Sequence, residues 1–62
     1  MTENEAINAI HNGKLVQCEK DQWPALRAAV HTKAGFWADH GEGLRASIAL
    51  SEIKRLDEKF KD

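Results

Sequence analysis

Residues 21–40 read DQWPALRAAVHTKAGFWADH, and this stretch contains both tryptophans of the 62-residue chain. Each residue of an α-helix advances about 100° around the axis, which places one group of apolar residues within an arc of about 80°. The members of this stripe are Trp23, Leu26, Val30, Ala34 and Trp37. Their spacing predicts a helix over residues 23–39 that packs on a core.

A second apolar patch lies roughly a third of a turn away on the same predicted helix. It comprises Ala25, Ala29 and Phe36, with Thr32 beside them. Small alanine side chains allow another backbone to approach closely, and Phe36 adds a large apolar ring. Because a helix with two apolar faces usually has two neighbours, this second face predicts a contact beyond the first packing partner.

The start of the predicted helix is marked by Pro24, which suits the first helical turn and places the cap near Asp21 or Trp23. Gly35 lies inside the helix. A glycine there costs roughly 1 kcal/mol relative to alanine, and we interpret it as a mark of a close crossing.

A third helix is predicted over residues 44–60, after a turn that contains Gly41 and Gly43. Leu44 and Ile48 lie away from its main apolar stripe, where they are predicted to cover the N-terminal helix or to form a subunit contact. Two amphipathic helices joined by a tight turn predict an antiparallel helical hairpin. The main stripe spans about 120° and comprises Ala46, Ala49, Leu50, Ile53, Leu56 and Phe60.

The N-terminal part of the chain predicts one short helix over residues 3–11, whose apolar side comprises Ala6, Ile7 and Ile10. Thr2 and Glu5 have the spacing of a capping box, and Asn12-Gly13 is typical of a helix C-terminus. Residues 14–20, KLVQCEK, alternate like a short strand. Since the chain offers no second strand candidate, we predict an extended connector there.

Size and composition predict a single all-α domain over residues 1–62. A chain this short buries only about 60% of its unfolded surface, and small proteins often add disulfides, a metal or a partner chain. Cys18 is the only cysteine, which excludes an intramolecular disulfide. One hairpin is not expected to cover two indole rings and two further apolar faces, so a homodimer or larger helical oligomer is predicted.

Charge and hydropathy argue against a secreted, a membrane-spanning or a nucleic-acid-binding protein. The start, MTENEAINAI, lacks the basic region and apolar run of a signal peptide. No apolar run approaches the roughly 20 residues of a membrane span, so a cytoplasmic protein without membrane partners is predicted. The formal net charge is −1, without the basic excess that is usual for nucleic-acid binding.

The sequence contains no pattern that indicates catalysis or metal binding. His31 and His40 point in opposite directions if they share one helix, and no Cys-x-x-Cys or His-x-x-x-His pair is present. A nucleophilic site needs a base and an orienting group, and neither is indicated beside Cys18. We predict that the chain is not an enzyme and holds neither a cofactor nor a metal.

These observations predict a small interaction module that acts as a regulator or inhibitor by binding a partner protein, as small bacterial or phage regulators of this size do. Tryptophan and arginine side chains contribute a large share of the binding free energy at many protein interfaces. The predicted contact residues are Trp23, Ala25, Arg27, Ala29, Phe36, Trp37, Leu44 and Ile48.

Two alternatives remain open. The first is a compact DNA-binding transcriptional regulator, since three helices are compatible with a helix-turn-helix. The second is an oligomeric binder of a small anion or nucleotide at the turn, because helix N-termini attract anions. Gly41, Gly43 and Arg45 are the residues of that possible anion site.

Overall fold

The computed structural model describes residues 1–61 and shows three helices. They are α1 (Glu3–His11), α2 (Trp23–Asp39) and α3 (Gly43–Lys59), with one 3-10 turn at Lys20–Gln22. The prediction of an all-helical protein is confirmed, and position 62 of the predicted domain lies outside the described residues. Within residues 1–61 there is no strand, and residues 14–19 form a connector without regular secondary structure between α1 and the 3-10 turn.

The start of α2 lies where the sequence predicted it, although no side chain caps it. Asp21 lies within the 3-10 turn, and Gln22 is the N-cap residue with helical backbone angles and no side-chain capping bond. Pro24 lies in the first turn of α2, as expected. The 3-10 turn leads directly into the helix, and the N-cap residue lies between Asp21 and Trp23, where the sequence placed it.

Two glycines end α1 and α2 in the same way. Gly13 and Gly41 follow the respective C-cap residues and have φ angles of 72° and 79°. This left-handed conformation lets the next amide reach back to the carbonyl of the last helical turn. The bonds run from the Lys14 amide to the Ala9 carbonyl (2.7 Å) and from the Glu42 amide to the Trp37 carbonyl (2.8 Å).

The core contains both tryptophans. Trp23 is 5% exposed and Trp37 is 2% exposed, and Val16 of the connector packs with them. Leu50 was predicted to join the core, but it is half exposed at the edge of the α3 stripe. The buried apolar residues are Ala6, Ile10, Val16, Trp23, Leu26, Val30, Ala34, Trp37, Ala46, Ala49, Ile53 and Leu56.

Contacts between the ends of α2 and α3 fix how these helices pack. The Trp23 indole at the start of α2 donates to Asp57 near the end of α3, with an Nε1–Oδ1 distance of 2.8 Å. At the other end the Arg45 guanidinium lies 5.8 Å from the Trp37 ring. At each end of the α2–α3 pair, a buried indole ring of α2 therefore contacts a charged side chain of α3.

The connector is attached to α3 by two side chains. The Val16 amide donates to Glu52 at 3.0 Å, and the Val16 carbonyl accepts from Arg55 at 2.8 Å. Glu52 and Arg55 also bond each other, at 2.8 and 2.9 Å. Because both backbone groups of Val16 are satisfied in this way, its side chain can be buried without a strand partner.

Helix α1 packs against both longer helices, so α2 has the two neighbours that its two apolar faces predicted. The expectation of a close crossing at Gly35 is wrong, because a Cβ added there would have no atom within 4 Å apart from its chain neighbours and the nearby backbone of its own helix. The accessible surface is 4209 Å². A compact monomer of 7.0 kDa is expected to expose about 4,000 Å², so one chain covers its own large rings.

Candidate interaction surfaces

The buried tryptophans cannot supply the contact surface predicted for them. Both rings are enclosed by the monomer's own helices, and the Trp23 indole N–H is already bonded to Asp57. The spacing of tryptophans in a small helical chain does not distinguish a core position from an interface position. The structure places Trp23 and Trp37 in the core, so a contact must use other residues.

A groove between α1 and α2 contains much of the second α2 face. It has a volume of about 480 Å³ and is open to solvent. Phe36 is 46% exposed at this groove, whereas Ala29 is half buried beside α1. Ala25 is exposed on the same face. The lining residues are Glu3, Ile7, Ala28, Ala29, Thr32, Lys33 and Phe36.

The Phe36 ring is held in place by its own helix. The His40 ring stacks on it with a centroid distance of 4.1 Å, and the Lys33 ammonium lies 4.4 Å from its centroid. The His40 ring is oriented by its Nδ1 atom, which lies 2.9 Å from the Phe36 carbonyl oxygen. These contacts restrict the ring before any partner arrives, which lowers the entropy cost of a contact there.

The groove carries one charge of each sign on opposite walls. Glu3 lies on the α1 wall and Lys33 on the α2 wall. Neither side chain forms an ion pair with any residue of the described range 1–61. Their charges are therefore available to a molecule that covers the groove.

A second apolar surface lies at the start of α3. Leu44 is 86% exposed and Ile48 is 46% exposed, and the two lie one helical turn apart on one face. The prediction that they cover α1 is wrong, since their side chains stay open to solvent. Leu44 also borders a shallow depression at the turn, next to Gly41 and Gly43.

The turn does not concentrate positive charge. Arg45 forms an ion pair with Glu42, the N-cap residue of α3. Arg27 likewise pairs with Asp57 at 3.1 Å, and Arg55 pairs with Glu52. All three arginines of the chain thus face a carboxylate, so their arrangement supports neither an anion site at Gly41, Gly43 and Arg45 nor a phosphate-binding face.

Cys18 lies beside a groove between the connector and the end of α3. It is half buried, and burial raises the pKa of its thiol, although the nearby charges of Lys59, the N-terminus and Arg55 oppose that change. A raised pKa favours the protonated thiol, which is a poor nucleophile. The geometry therefore gives Cys18 no catalytic activation.

Sequence reasoning missed the α1 side of the groove. The sequence indicates that Ile7 belongs to the apolar side of α1, and it assigns no contact to Glu3. The one sequence feature that indicates this wall is the apolar Ile7, which lies beside the core positions of α1. Only the packing of α1 on α2 brings Glu3 and Ile7 to the same groove as Phe36.

Among residues 1–61, no group of three or more histidines, cysteines, aspartates or glutamates is arranged to hold a metal ion. The helices in that range are all too short or too polar to cross a membrane. No protein-family model matches the chain, and no curated protein or solved structure is significantly similar to it.

Proposed function

We propose that this chain is a small helical interaction module that regulates or inhibits a partner protein and acts as a homo-oligomer in the cytoplasm. In this proposal α2 and α3 form an antiparallel hairpin, and the folded chain displays two apolar surfaces. The first is the groove at Phe36, and the second is the pair Leu44 and Ile48.

One observation carries the proposal. The core is closed by twelve buried apolar residues, yet large apolar side chains remain exposed at positions spaced along helix faces. Single exposed apolar residues are common, but grouped ones mark interaction sites. Leu44 and Ile48 have the i, i+4 spacing with which a helix presents anchors to a partner's groove.

A capture experiment tests the partner-binding part. Tagged wild-type protein and a Leu44→Asp/Ile48→Asp variant are used to capture proteins from an extract of the native cell. Two buried aliphatic anchors contribute at least about 1.4 kcal/mol together, so the variant is expected to retain at most about a tenth of a specific partner.

The matched control is Leu50→Asp, which changes a half-exposed leucine elsewhere on α3. This control should capture the partner as the wild type does. Equal capture by all three proteins would contradict a partner site at Leu44 and Ile48. Light scattering tests the oligomer separately, and a monomer at tens of micromolar would contradict that part.

A further inference from the structure

We infer that the groove between α1 and α2 is the surface through which a second copy of this chain binds, as a two-fold dimer. The inference rests on the homo-oligomer in the proposed function and assigns it a surface. It leaves Leu44 and Ile48, on α3, for the partner protein.

The shape of the groove suits its own copy. Ala28 and Ala29 present only methyl groups, while Phe36 presents a large ring at the same groove. A two-fold axis running along the groove turns the α2 wall of one copy toward the α1 wall of the other. The exposed Phe36 ring of each copy then lies against the groove of its partner and is covered there.

The charges of the groove are complementary under the same operation. The α1 wall of one copy, which carries Glu3, faces the α2 wall of the other, which carries Lys33, and the symmetry repeats this arrangement. Neither residue has an ion-pair partner within the described chain, so pairing across the dimer breaks no existing ion pair. A single surface that carries both a charge and its complement is what an isologous contact requires.

A stable dimer of this chain must bury a large fraction of the surface of each copy. A stable interface buries about 800 Å² on each partner, which is about a fifth of the 4209 Å² surface of this chain. One narrow groove cannot supply that area unless both walls contribute. A two-fold contact involves both walls of both copies, which is consistent with the position of the two charges.

A charge exchange tests the inference. Glu3→Lys places two lysines opposite each other, and Lys33→Glu places two glutamates opposite each other. Each single variant should raise the dimer dissociation constant about tenfold or more, because each change acts twice at the interface. The double variant restores opposite charges, and its dissociation constant should return to within about threefold of wild type. A dilution series in analytical ultracentrifugation measures all four.

Two controls separate the contact from effects on the fold. Lys54→Glu and Glu58→Lys reverse exposed charges on α3 and should leave the dissociation constant unchanged. Glu3→Lys also places a positive charge in the first turn of α1, so circular dichroism is measured on each variant. That effect on α1 is present in the double variant too, so it cannot imitate the rescue.

The outcomes distinguish this inference from the broader proposal. A wild-type protein that stays monomeric overturns both the oligomer and this interface. A wild-type dimer that is insensitive to Glu3→Lys and Lys33→Glu, or is not rescued in the double variant, overturns the interface alone. Rescue of the dimer by the double variant establishes the pairing of Glu3 with Lys33 between copies.

Discussion

Glu52 shows at the scale of one residue how a charge can be buried in a small helical protein. Its carboxylate accepts bonds from the Val16 amide and from the Arg55 guanidinium. Burial works to raise the pKa of Glu52, but the Arg55 and Val16 bonds and the Arg55 charge outweigh it and lower the pKa overall. The charged form is therefore the one that holds the connector on α3.

Removing the carboxylate should weaken the fold. Glu52→Ala leaves the buried Val16 amide without its acceptor and Arg55 without its partner. Arg55 is partly exposed and can turn to water, so we expect a loss of about 2 kcal/mol in the free energy of unfolding. Urea denaturation measures it, with Glu58→Ala as the exposed control. Equal stability of the two variants would contradict the role of Glu52.

The lowered pKa of Glu52 also predicts an acid dependence. The folded state binds this proton less readily than the unfolded chain, whose pKa lies near 4.5. The stabilisation is therefore fully present above that value and is lost as the pH falls through the lower, folded pKa. The difference in stability between wild type and Glu52→Gln should shrink steadily below about pH 4.5. A difference that stays constant to the acid unfolding limit would contradict it.

At the scale of the helices, Gly35 inside α2 and Gly41 just after its C-cap should respond oppositely to replacement by alanine. Gly35 lies inside the helix with open space around its Cα, so Gly35→Ala should stabilise the protein by about 0.5–1 kcal/mol. Gly41 has a φ of 79°, so Gly41→Ala should destabilise it by about 1 kcal/mol. Thermal unfolding measures both. Loss of stability in Gly35→Ala would indicate a close contact at that position after all.

At the scale of the whole molecule, the core is buried within one chain, so we expect that a substitution can dissociate the oligomer without unfolding the monomer. Phe36→Asp should dissociate the oligomer, because it places a charge where an apolar ring is covered, yet leave the helical circular dichroism largely unchanged. Light scattering and circular dichroism on the same samples measure this. Leu50→Asp, an equally exposed position on α3, should leave the oligomer intact. Joint loss of the oligomer and the helices in Phe36→Asp would contradict a folded monomer.

The sequence by itself determined the helices, because their signals are local. The Thr2–Glu5 capping box forms as predicted, with bonds of 2.9 and 3.2 Å, and α1 and α2 have the predicted bounds. The helical periodicity also identified eleven of the twelve buried apolar residues, because they lie on the predicted apolar sides of the three helices. The twelfth is Val16 in the connector. Capping, helical spacing and glycine conformation depend on residues a few positions apart.

Only the tertiary structure decided which apolar residues remain on the surface. Spacing could not show that Trp23 and Trp37 are enclosed while Phe36 and Leu44 stay exposed, because that depends on where α1 and the connector dock. The Glu52 contact with Val16 spans 36 positions, beyond any local pattern. The groove at Phe36 exists for the same reason, since the residues of its two walls lie more than 20 positions apart in the sequence.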